Sequence, residues 1–218
     1  SLPDIFVRKL HQCDKLFSAK NFLEQIRDEP PIRQIISEIN NYCLDNRIVG
    51  YHYTRAIEEE LRTHGLLVRT GEAIRSSFMT RHGARFTAEQ RAEILDTWGR
   101  CYDAKMIKAR DNRIYFNFTR NALSEGGADL LIGNYGGEQI YFYIDKIPGI
   151  GEILSSIGTS MIVKCSLFPA DLKAYISEPW GQIAVSSYHR TVNTSAHQVD
   201  QDGHQIVQVL PEHIEILS

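Results

Sequence analysis

Clustered cysteine is the first thing missing. The four thiols, Cys13, Cys43, Cys101 and Cys165, are scattered along 218 residues with no CxxC pair. That spacing argues against a zinc knuckle and gives little support to a disulfide framework. They read as buried thiols of a reducing compartment. No apolar run approaches the roughly 20 residues of a membrane helix, and no apolar core of a signal peptide opens the chain. An excess of one charge is missing as well. The 24 basic and 27 acidic side chains leave a formal net charge of −3, so no general basic field for nonspecific nucleic-acid binding exists. GxGxxG, Walker, HExxH and GxSxG motifs are all absent, which removes the common nucleotide and hydrolase signatures. The eight histidines form no helical pair at ligand spacing, so no metal centre is expected.

What is present is globular in character. Hydrophobic residues make up 43% and charged residues 23% of the chain, enough for a sizeable core. Residues 1–47 read as a helical segment. Ser1 can cap a first helix, Ser18 a second carrying Phe22, Leu23 and Ile26, and Pro30-Pro31 can open a third. Ile32, Ile35, Ile36, Ile39 and Tyr42 then repeat at helical spacing. From Arg47 the texture turns β-branched and aromatic, predicting a strand over 48–54. A helix to His64 follows, ended by Gly65. Residues 69–86 read as an arginine-rich loop, mobile until a ligand orders it. Thr87 caps a helix through Ile94, Trp98 and Tyr102 to about Arg110. Strands are expected over 113–119, 130–132, 139–144, 160–168 and 205–210. Helices first and antiparallel-length strands after them predict an α+β fold.

Three blocks stand out. Tyr51-His52-Tyr53-Thr54 precedes a helix and Gly65-Leu66-Leu67. The aromatic strand Ile114-Tyr115-Phe116-Asn117-Phe118-Thr119 is followed by Arg120-Asn121. Gly136-Gly137-Glu138-Gln139-Ile140-Tyr141 forms a glycine turn and its sequel. In this order the chain resembles the ADP-ribosyltransferase superfamily. The first block is similar to the opening motif of HYT-motif toxins and effectors. The second and third are similar to segments of the DarT group. Tyr115-Phe116 also matches the aromatic pair of the superfamily's second motif. The resemblance runs over about residues 48 to 216, in short blocks.

The resemblance implies NAD as substrate, with no metal, and transfer of ADP-ribose to a macromolecule. It implies that His52 bonds the adenosine ribose, Thr54 bonds a nearby hydroxyl, and the backbone of Tyr53 holds the carboxamide. Tyr115, with Tyr143 as second candidate, stacks on the nicotinamide, and Asn117 belongs to the same cofactor-binding set. An arginine of the 69–86 loop takes part in catalysis. Arg75 is preferred over Arg81 and Arg85, and Arg81 is assigned to the diphosphate.

The sequence departs from the family at the acid. Where the family has a glutamate, Gly203-His204-Gln205-Ile206-Val207-Gln208-Val209 offers Gln205, or His204 in a shifted register. Glutamine can bond a ribose hydroxyl but cannot neutralise a cation. Glu138 is the preferred substitute, with Gln205 assisting. Glu212 and a weakened or inactive domain are the alternatives.

The expected architecture is therefore a split antiparallel β core of ADP-ribosyltransferase type with helices. It spans 48–218 and is preceded by the helical segment 1–47. The expected function is mono-ADP-ribosyl transfer by a bacterial effector or toxin, to a protein rather than a nucleic acid and without a membrane partner. Its site of action would be cytosolic, reached in a target cell by a route that uses no cleavable signal peptide. Two rival readings are an NAD-dependent RNA 2′-phosphotransferase and an inactive ligand-binding module.

Overall fold

The computed structural model describes residues 2–123 and 127–217, apart from the side chain of Asn121. Ser1, an expected helix cap, lies outside them. In chain order the helices and strands are α1 (Asp4–His11), α2 (Asp14–Ala19), α3 (Pro30–Leu44), β1 (Ile48–Ala56), α4 (Glu58–His64), α5 (Gly71–His82), α6 (Ala88–Cys101), α7 (Ala104–Arg110) and β2 (Ile114–Asn117). There follow α8 (Asp129–Gly133), α9 (Glu138–Tyr141), α10 (Ile150–Ser156), β3 (Thr159–Leu167), β4 (Leu172–Ala174), α11 (Pro179–Val192), β5 (Asp202–Gln205) and β6 (Ile214–Leu217). The fold is α+β, with an open sheet in the order β4-β5-β2-β1-β3-β6. β1 runs antiparallel to β2, with Tyr51 opposite Asn117, and β3 antiparallel to β6.

The chain divides into two compact units. The first takes in Ser1–Ile48 and also Leu167–Gly203. The sequence reading assigns the second of these pieces to the 48–218 domain. The apolar stripe of α3 explains the difference. Ile32, Ile35, Ile36 and Ile39 are all buried, and α11 lies against that helix so closely that a Cβ on Gly181 would meet the backbone oxygen of Ile36 at 2.0 Å. Pro30 occupies the first turn of α3, as its fixed φ predicts. Ser18 is not a cap. It lies inside α2 and bonds back to the Asp14 carbonyl, leaving residues 23–25 to a single 3-10 turn. In α11, His189 is fully buried and its Nε2 reaches the carbonyls of Phe17 and Lys20.

The second unit comprises Val49–Ser166 and His204–Ser218. Its helical layer buries Phe78, Phe86, Ile94, Trp98, Tyr102 and Ile140 among others. Five expectations change here. The helix from Thr87 ends at Cys101, and Asp103 caps a separate α7. Residues 69–86 are not a loop. Thr70 caps α5 by accepting a bond from the Ala73 amide at 3.2 Å, and Ile74 and Phe78 face the core at i, i+4, which outweighs the glycines and serines. Residues 139–144 are not a strand. Gly136 (φ +82) and Gly137 (φ +68) lead into the short helix α9, and Tyr143 (φ +74) has a left-handed backbone that no strand accommodates. Residues 130–132 belong to α8. The strand expected over 205–210 ends at Gln205, after which Val209 pairs only as an isolated bridge to Leu66. Gly65 (φ +68) does end α4, as expected.

Candidate functional site

The site is best built outward from Tyr102, which follows the last turn of α6. Trp98 and Tyr102 lie four residues apart, on one helical face. The indole N–H of Trp98 donates to the Ile140 carbonyl at 3.1 Å. The phenol of Tyr102 donates to the Glu138 carbonyl. Two aromatic donors, one in α6 and one just after it, thus hold two carbonyls of α9. Burial pushes the Tyr102 phenol well above its ordinary pKa, against the pull of Arg75 and Arg110, so it stays a protonated donor.

Around that ring stand three residues singled out from the sequence. Arg75 projects from α5 with its guanidinium carbon 4.1 Å from the centre of the Tyr102 ring, a cation–π contact. It also donates to Gln139 Oε1 at 2.9 Å. Tyr143 meets Tyr102 edge-on at 5.9 Å. Glu138 opens α9 and pairs through Oε2 with Arg110 Nε at 2.9 Å. It stands at a helix start and not at the head of a strand as the sequence suggested. Arg110 also lies over Phe142 at 5.3 Å. Gln139 in turn donates to Asp111 Oδ1 at 3.3 Å, and the same oxygen accepts the Gly71 amide at the start of α5. Segments 71–75, 102–111 and 138–143 therefore meet in one partly buried cluster of two carboxyl groups, two guanidinium groups and aromatic faces.

The sheet sorts the remaining candidates. Opposed residues of an antiparallel pair share a face. With Tyr51 opposite Asn117, Tyr53 falls opposite Tyr115, and His52 opposite Phe116. The His52 and Phe116 rings, 6.2 Å apart, agree with this register. Tyr53, Tyr115 and Asn117 therefore share one face, and His52 and Thr54 the other. Tyr115 also lies against His204 of β5, ring centres 5.3 Å apart. Strand alternation then turns Gln205 to the face of His52. Gln205 is buried and its amide donates to the Val207 carbonyl at 2.6 Å.

Tyr115 is half exposed, and its hydroxyl donates to the Ala109 carbonyl. That carbonyl belongs to the residue before Arg110, so the Tyr115 ring borders the Glu138 cluster. His52 reaches back across β2, with Nδ1 2.9 Å from the Tyr115 carbonyl. Burial lowers its pKa, opposed by that bond, which keeps the ring neutral near pH 7. Thr54 is buried, and the Tyr53 hydroxyl donates to the Thr119 carbonyl. Asn117 Oδ1 accepts from the amide and hydroxyl of Thr119. Arg81 is engaged by Glu60 and Arg85 sits in the 3-10 turn after α5. Glu212 lies in a 3-10 turn before β6.

A cavity of about 190 Å³ opens at the end of β1, lined by Ala56, Ile57, Leu61, Leu66, Arg69 and Ile74 among others. Ala56 shares the strand face of His52 and Thr54 by alternation. Among the described residues no group of three or more His, Cys, Asp or Glu side chains could hold a metal, and no helix is long and apolar enough to cross a membrane.

Sequence reasoning missed Tyr102, Arg110, Asp111 and Gln139. Tyr102 reads locally as one more apolar position after Ile94 and Trp98. Its role follows only from partners 27–41 residues away, which leave no local signal. No family model, curated protein or solved structure matches the chain.

Proposed function

We propose that the chain is an NAD-dependent mono-ADP-ribosyltransferase acting on a macromolecular acceptor, a protein before a nucleic acid, with a core of ADP-ribosyltransferase type. One observation carries the reading: Arg75, Glu138 and Tyr143, which the sequence singles out from distant segments, converge on Tyr102, beside Tyr115. The reaction needs what that cluster offers. The bond between C1′ of the ribose and the nicotinamide nitrogen breaks, and its electron pair leaves with the nicotinamide. Positive charge develops on the ribose, as in glycoside hydrolysis. A nucleophile of the acceptor then bonds to C1′ and loses its proton.

In this reading Glu138 stabilises the developing cation, Arg75 holds a phosphate oxygen, and the exposed faces of Tyr115 and Tyr143 flank the nicotinamide. Arg110 pairs with Glu138 and fixes its direction. His52 and Thr54, on the other face of the central strands from Tyr115, do not reach the same NAD, and in this reading they pack behind the site. Gln205 shares their face. It supplies no charge. Arg81, already paired with Glu60, becomes a diphosphate ligand only by exchanging that partner.

The test is incubation of the full chain with cell lysate and NAD labelled in the adenosine half. Label in protein, lost in Glu138→Gln, supports the reading. Label that appears only in a small ADP-ribose cyclic phosphate, with loss of the 2′-phosphate from RNA, overturns the protein acceptor in favour of a phosphotransferase. Saturable NAD binding without turnover leaves an inactive binding module.

A further inference from the structure

We infer that Tyr102 is a positioning residue for the proposed reaction, holding Glu138 and Arg75 in register by two separate contacts; this rests on the function proposed above.

Arg110 sets the Glu138 side chain, while the main chain that carries it has few bonds of its own. Glu138 is the first residue of α9, a helix of four residues, too short to hold itself in water. The preceding Gly136 and Gly137 both have positive φ, so the chain enters α9 through two residues with wide conformational freedom. The Gly136 amide is tied to the Arg55 carbonyl. Beyond that anchor, the Tyr102 hydroxyl takes the Glu138 carbonyl and Trp98 takes that of Ile140. The main chain bearing the acid is thereby bonded to α6, a fourteen-residue helix with a complete capping box at Thr87.

The ring of Tyr102 has a second task. Arg75 lies on it, while Tyr143 packs against it edge-on. The hydroxyl and the ring are thus separable. The hydroxyl fixes the acid, and the ring seats the guanidinium assigned to phosphate. Substitution can remove one without the other. Burial raises the phenol pKa, so the hydroxyl remains a donor through the whole neutral range. Tyr102 itself is given no contact with the reacting atoms.

The experiment compares Tyr102→Phe and Tyr102→Leu with the wild-type chain in NAD turnover. It is paired with hydrogen exchange over residues 139–145. Loss of the hydroxyl alone is expected to lower kcat about tenfold and leave KM for NAD within about twofold. It should also speed exchange in 139–145 while the α6 amides stay protected. Tyr102→Leu, which removes the ring too, should in addition raise KM severalfold. A purely structural role predicts a lower melting temperature with kcat unchanged in both variants, and that result overturns the inference. Wild-type chain that consumes no NAD sinks the transferase reading alone. The hold of Tyr102 on Glu138 is then judged by exchange, and unchanged exchange in Tyr102→Phe overturns it.

Discussion

A histidine in an aromatic nest illustrates what single residues contribute and how much of that the sequence carries. His82 closes α5, buried between Phe78 and Tyr135, with ring centres 5.6 and 4.9 Å away. Burial, then the charges of Arg81 and Arg85, push its pKa down. Below about pH 6.5 an unfolded histidine takes up a proton that the folded one resists. Stability is therefore full above that pH and falls as pH drops toward the folded value. His52, shifted the same way, adds to the slope. His82→Phe should flatten the fall in melting temperature between pH 7 and pH 5, while wild type keeps the steeper loss. Equal slopes in the two proteins would rule out the assignment. Its aromatic surroundings are only half local: Phe78 lies one turn back, while Tyr135 comes from more than fifty residues away. His52 is different: its aromatic flanks and β-branched neighbours mark a strand on local composition alone.

Elements were legible where periodicity and caps agree. Pro30 opening α3, Thr87 opening α6 and Gly65 closing α4 are local chemistry, and each falls where the residues put it. The arginine-bearing segment is the instructive failure. Its glycines, serines and four arginines suggest a loop. Yet Ile74 and Phe78 lie one turn apart and find a buried partner surface in Trp98 and Tyr135, and that tertiary contact outweighs composition. Residues 139–144 fail for the opposite reason. Gln-Ile-Tyr-Phe-Tyr-Ile has strand propensity, but Ile140 and Tyr141 are both buried, which alternation on a half-covered sheet does not allow. The consequence for dynamics is measurable. Amides 76–82 of α5 should be protected from exchange in the absence of any nucleotide. Rapid exchange there, quenched by NAD, would restore the ligand-ordered loop.

At the scale of the molecule, the least legible feature is that residues 167–203 pack with the amino-terminal helices. The helix α11 itself was not read from the sequence, nor was the surface against which it packs. That packing rests on Gly181, which lets α11 approach the Ile36 backbone. Gly181→Ala should cost roughly 1–3 kcal/mol by overpacking, seen as a lower denaturation midpoint; an unchanged midpoint would mean the helices part without cost. The candidate site belongs wholly to the second unit, and there the chemistry was legible by residue type while the geometry was not. Glu138, Arg75 and Tyr143 come from the sequence, whereas their meeting point, Tyr102, comes from the fold. The most direct test of the account is nicotinamide release from NAD by the full chain and by Glu138→Gln, with NAD affinity measured alongside. The account predicts a loss of about 10²–10³ in rate with affinity nearly unchanged. Undiminished release by Glu138→Gln, together with a many-fold gain in Gln205→Glu, would contradict it and move the charge-stabilising position to β5.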